Sequence, residues 1–76
     1  MKLNYKIPVC QAVFGSSVLV ESEDLFPGFE LVVRTPAGSL ITAHLISRPW
    51  LVLGTLFACG EARDTGEVLL IKLSYA

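Results

Sequence analysis

The chain contains no stretch of about 18 to 20 consecutive apolar residues, the length a membrane-crossing helix needs. The closest approach is Trp50 to Cys59, ten residues set between Arg48-Pro49 and Gly60-Glu61, the length of a buried core element. The amino terminus carries Lys2 and Lys6 without an apolar run or a small-residue cleavage site, so no secretory signal is expected and the cytoplasm is the expected compartment. Charge of one sign is also lacking: six Lys or Arg stand against seven Asp or Glu, a formal net charge of -1. Such a balance provides no global field to recruit polyanions. Cysteine is scarce, and Cys10 and Cys59 lie far apart without Cys-x-x-Cys spacing, which reads as two reduced core thiols rather than a disulfide. Internal repeats, low-complexity tracts and linkers are absent, so residues 1–76 form one domain.

What is abundant is apolar surface. Hydrophobic residues make up 53% of the chain and mean hydropathy is +0.61, yet a domain of this size buries only about 60% of the surface its unfolded form exposes. The excess implies an oligomer or a partner that covers it.

The local patterns are those of β-structure. Leu3, Tyr5, Ile7 and Val9 alternate with Lys2, Asn4 and Lys6, the period of a half-buried strand. Gly15, Ser16 and Ser17 supply turn chemistry before the short apolar run Val18 to Val20, which reads as a returning strand. Glu21 to Gly28 is an acidic loop ending in Pro27-Gly28. The clearest signal spans Phe29 to Ile46, where two β-rich runs flank Pro36-Ala37-Gly38. Proline presets the first corner of a type I turn and glycine takes the positive φ of the bulge that follows. That turn fixes a register in which Thr35 faces Ser39, Val33 faces Ile41, Leu31 faces Ala43 and Phe29 faces Leu45 on an apolar face. Arg34 then faces Leu40, Val32 faces Thr42 and Glu30 faces His44 on a wetter one. Trp50 to Cys59 has no period; strand is favoured by Trp50, Val52, Thr55 and Phe57, with a short helix over 48–59 as the alternative set by Pro49 and Gly60. Gly60 to Gly66 reads as a turn and Val68 to Tyr75 as a closing strand. The expected fold is all-β, a small barrel or curled antiparallel sheet of about four to six strands.

No pattern of residues builds a chemical site, and a non-enzymatic protein is expected, with no cofactor and no metal. Cys10, His44 and Cys59 are ligand types for zinc but are single and widely separated. Asp64-Thr65-Gly66 resembles the active-site triplet of aspartic proteases, whose chemistry needs two carboxylates sharing a proton and would imply a small hydrolase that pairs its subunits. Here Ala62-Arg63 precede the triplet and Glu67 follows, with ten residues remaining, and Asp and Gly equally suit a hairpin loop. The Glu30 and His44 pair sets a carboxylate against an imidazole, an arrangement that favours the charged ring. Phe26, Arg48 and Trp50 stand at element edges, where large aromatics and arginine anchor interfaces, and Glu21, Glu23 and Asp24 offer carboxylates to a basic partner. The expected role is therefore protein–protein binding, as a homo-oligomeric subunit, adaptor or stoichiometric inhibitor. Single-stranded nucleic acid is the alternative partner, since small barrels stack bases on exposed aromatics, although the cations look scattered along the sequence.

Overall fold

A computed structural model of the chain describes residues 7–13 and 25–73. They form six strands: β1 (Val9–Val13), β2 (Glu30–Arg34), β3 (Leu40–Leu45), β4 (Trp50–Val52), β5 (Thr55–Ala62) and β6 (Val68–Lys72), with no helix among the described residues. The sheet order is β3-β2-β1-β6-β5-β4, and an additional β3–β5 pairing closes a ring of five strands that leaves β4 as an appendage on β5. The expected small all-β barrel is thus present, with one correction. β1 and β6 pair in parallel, Val9 beside Leu70 and Gln11 beside Lys72, so the sheet is mixed. These two strands are joined through the whole domain rather than by a tight turn, so nothing forces them antiparallel.

The β2–β3 hairpin follows its turn chemistry. Gly38 has φ 89°, its N–H donates to the Thr35 carbonyl at 2.8 Å, and the Thr35 N–H donates to Ser39 at 2.8 Å. The register pairs Leu31 with Ala43, Val33 with Ile41 and Glu30 with His44, as the sequence dictates. At the start of β2, Pro27-Gly28 makes a second turn, with Gly28 at φ 98° and the Phe29 N–H donating to the Phe26 carbonyl at 2.9 Å.

Strand alternation sends one set of side chains into the ring. Leu31, Val33, Leu45, Leu69 and Ile71 fill it together with small residues: Cys10, Ala12, Ala43, Ala58 and Ala62. The small residues are a requirement, because a five-stranded barrel is too narrow to hold large side chains from every strand. Gly60 is the tightest case. A Cβ there would collide with Ile71 Cδ1 and lie 3.0 Å from the His44 carbonyl oxygen. Gly60 is therefore a point of close approach inside β5 rather than the start of a turn. The turn itself is shorter than expected, with the Gly66 N–H donating to Ala62 and the Ala62 N–H to Glu67.

Two further expectations are overturned. The inward face of β1 is Cys10 and Ala12, while the alternating apolar residues Ile7 and Val9 point outward and are exposed. Periodicity identified a strand but not its buried side, because the interior of a narrow barrel selects small residues over large ones. The helix alternative over 48–59 is replaced by a tight hairpin: Leu53 and Gly54 have φ of 49° and 83°, the two positive values a type I′ turn requires. Trp50 then pairs with Phe57, Leu51 with Leu56 and Val52 with Thr55. Between β3 and β4, residues 46–49 bulge out of the ladder along β5. The Ile46 N–H still donates to the Cys59 carbonyl, and Ser47 Oγ accepts the Cys59 N–H, both at 2.9 Å. The strand expected over Val18 to Val20 lies outside the described residues.

Candidate interaction surface

The barrel has two unlike ends. At one end the turns at 35–39 and 63–67 meet around an open cavity of about 300 Å³ lined by Thr35, Ser39, Thr42, Asp64, Thr65 and Glu67, among others. Asp64-Thr65-Gly66 sits here as an exposed hairpin loop, with Gly66 at φ 73° and Thr65 Oγ1 accepting the Glu67 N–H at 3.2 Å. These are the roles that Asp, Thr and Gly play in a turn.

The opposite end carries the β4–β5 hairpin. Trp50, Leu51, Val52 and Leu53 follow one another in sequence and are 39%, 70%, 44% and 101% exposed. β4 pairs only with β5 among the described strands. Leu51 shares a face with Leu56, which packs on the core, so Leu51 continues the apolar face of the barrel out into solvent. Trp50 lies on the other face and its ring approaches that of Phe57, with centroids 6.5 Å apart. An open depression of about 380 Å³ lies at the root of the hairpin, bounded by Leu25, Arg48, Pro49, Trp50, Leu51 and Leu56. Phe26 and Ile46, both exposed, belong to the segments at this same end of the barrel.

Of the residues singled out from sequence, Arg48 and Trp50 thus come together at one depression, and Phe26 is exposed. Glu21, Glu23 and Asp24 lie outside the described residues. Leu51 and Leu53 were missed, although Leu53-Gly54 between apolar runs carried a signal in its glycine, the residue suited to positive φ. Glu30 and His44 are register partners, but their side chains take other neighbours. His44 Nε2 lies 3.7 Å from Glu61 Oε1, while Arg63 Nη1 donates to Glu30 Oε2 at 3.2 Å. The reason is the barrel closure, which sets Glu61 beside His44 on the far side of β3. Both contacts are substantially solvated, and surface pairs of this kind contribute little to stability.

The two thiols face opposite ways. Cys10 is 1% exposed within the ring, whereas Cys59, one residue along from the inward Ala58, is on the outer surface. Burial pushes the Cys10 thiol up from its ordinary pKa, with a smaller push from the Glu67 charge. Among the described residues no three His, Cys, Asp or Glu side chains gather as a metal site, and no helix is long and apolar enough to cross a membrane. Comparison of the chain with models of protein families, with curated proteins and with solved structures found no match.

Proposed function

We propose that this protein is a non-enzymatic interaction module that works by protein–protein binding, with the β4–β5 hairpin as its docking element. The observation that carries the reading is the run Trp50-Leu51-Val52-Leu53, four consecutive exposed apolar residues on a strand that pairs only with β5 among the described strands. Together they leave on the order of 400 Å² of apolar surface exposed, the size at which a patch on a small protein is commonly a binding site. The backbone adds weight. Leu53 occupies the left-handed region that a side chain with a Cβ rarely adopts, and it does so with no packing in return. An exposed, strained leucine is unfavourable for the isolated fold and useful only to a partner. Arg48 at the rim of the depression gives the site a polar anchor beside the aromatic one.

The test is capture from an extract of the source cells with the wild-type chain and with Leu53→Asn, which keeps the turn while removing the exposed leucine. Proteins held by the wild type and lost by the variant support the reading; identical retention on both overturns it.

A second reading, single-stranded nucleic-acid binding, is favoured by a row that the barrel assembles on its outer face. The registers set Arg34, Gln11, Lys72, Phe57 and Trp50 side by side across five strands, without a carboxylate in the row. Cations that are scattered in sequence come into one row with a pair of neighbouring aromatics in this way. Oligonucleotide affinity that falls steeply with salt and is lost in Lys72→Ala supports it; absence of binding at low salt removes it.

A further inference from the structure

We infer that the partner of the β4 edge is the β4 edge of a second copy, paired antiparallel about a two-fold axis through Leu51. This rests on the reading of the hairpin as a docking element and adds the identity and geometry of what docks.

In a hairpin closed by a two-residue I′ turn, the residues flanking the turn exchange both backbone hydrogen bonds, and alternate positions point their N–H and C=O groups the other way. Val52 and Thr55 flank the turn here, so the Leu51 N–H and carbonyl point away from β5, toward an edge that no other described strand covers. An unpaired donor and acceptor on one residue form the minimal template for strand addition. A two-fold axis at this residue satisfies both groups at once, because Leu51 then opposes its own copy and the two exchange N–H to C=O bonds.

The same axis sets the remaining side chains. Trp50 falls opposite Val52 of the other copy, and Pro49 falls opposite Leu53. The facing pairs across β4 itself are apolar. Pro49 shares the outward parity of Leu51 but has no N–H, so the backbone bonds across the axis are the two that Leu51 exchanges with its copy. Arg48, the nearest cation in the segment, falls opposite Gly54, so the axis brings no like charges into register and buries no carboxylate. The pairing extends β6-β5-β4 of each barrel into one sheet. It covers Leu51, which prolongs the core-side face beyond Leu56. Isologous contacts of this kind are the commonest way for a chain to cover its own apolar patch.

The area limits the strength. Two hairpins contribute on the order of 800 Å² of apolar surface, below the roughly 1,200 Å² at which stable interfaces begin. The proposed dimer is therefore a weak, reversible one.

Photo-crosslinking on the full chain tests this, with benzoylphenylalanine in place of Leu53 and, as control, in place of Ala37 at the opposite end. The expected result is an adduct of twice the 8.3 kDa chain mass from position 53 alone, mapping to the segment around Pro49 of the second copy. Adducts only to other proteins overturn the second-copy inference while leaving the docking reading standing, and no adduct at all overturns both. Sedimentation equilibrium supplies the second measurement. Leu51→Pro removes the outward N–H at a position that β5 does not use, and Leu53→Asn preserves the turn while deleting one apolar contact. The Leu53→Asn variant is expected to dimerise about tenfold to a hundredfold more weakly. A self-association unchanged in either folded variant overturns the proposed axis.

Discussion

Replacing Leu53 by asparagine is expected to make the isolated barrel more stable, although leucine is the more hydrophobic residue. Leu53 is fully exposed, so the substitution surrenders no buried apolar area, and its φ of 49° is retained by the turn whatever residue stands there. The left-handed region costs an ordinary L-residue roughly 1–2 kcal/mol, whereas asparagine enters it readily by bonding locally. Followed by Gly54, it gives the Asn-Gly sequence preferred in type I′ turns. Recovering about 1 kcal/mol raises the melting temperature of a domain this small by about 4–8 °C. The assay is thermal denaturation followed by far-ultraviolet circular dichroism at the lowest concentration the signal allows, where the proposed dimer would be dissociated. The proposed dimer would stabilise the wild type by mass action at higher concentration, so the gap between the two proteins should narrow there. A variant that melts at or below the wild-type temperature at low concentration would refute the claim that leucine is strained here and retained for binding.

Gly60→Ala should destabilise the fold by about 1–3 kcal/mol in chemical denaturation, since the new methyl meets Ile71, itself fully buried, and the His44 carbonyl. Cys59 should react with a thiol-alkylating reagent in the native state, while Cys10 reacts only after unfolding. The raised Cys10 pKa has a defined sign. The stabilisation from a neutral buried thiol is complete below the ordinary value of 9.0 and is lost as pH rises through the higher folded value. Wild-type stability should therefore fall above about pH 9 with a component that Cys10→Ala lacks, as two parallel pH titrations of the unfolding midpoint will read. Arg63→Ala, by contrast, should change stability by less than about 0.5 kcal/mol, because its ion pair with Glu30 is largely in water.

The parts of this fold legible in the sequence are those written in local chemistry. Pro36-Ala37-Gly38 specified its turn, and the turn specified the register from Phe29 to Leu45 residue by residue. The parts that were not legible depend on closure. Nothing local to Val9 or Leu70 announces that they lie in parallel, and the buried face of β1 was misassigned because a narrow ring prefers Cys10 and Ala12 to Ile7 and Val9. Closure also redirected His44 from Glu30 to Glu61, and it aligned Arg34, Lys72, Phe57 and Trp50 into a row. At the candidate site, Trp50 and Arg48 were visible as an aromatic and a cation at an element edge. Leu51 and Leu53 were hidden because an unbroken apolar run has no period, and only the positive φ of Leu53 and Gly54 divides it into two strands.

If the hairpin is the docking element, the apolar surface in excess of the core belongs to an interface centred on β4. The most direct test of that interface is the solution mass of the wild-type chain by light scattering, from roughly 1 to 300 µM, beside that of Leu53→Asn. The wild-type mass should rise from 8.3 kDa toward twice that value, with the variant's rise displaced to higher concentration. A wild type that stays at one chain throughout, or a variant that follows the same curve, would contradict it.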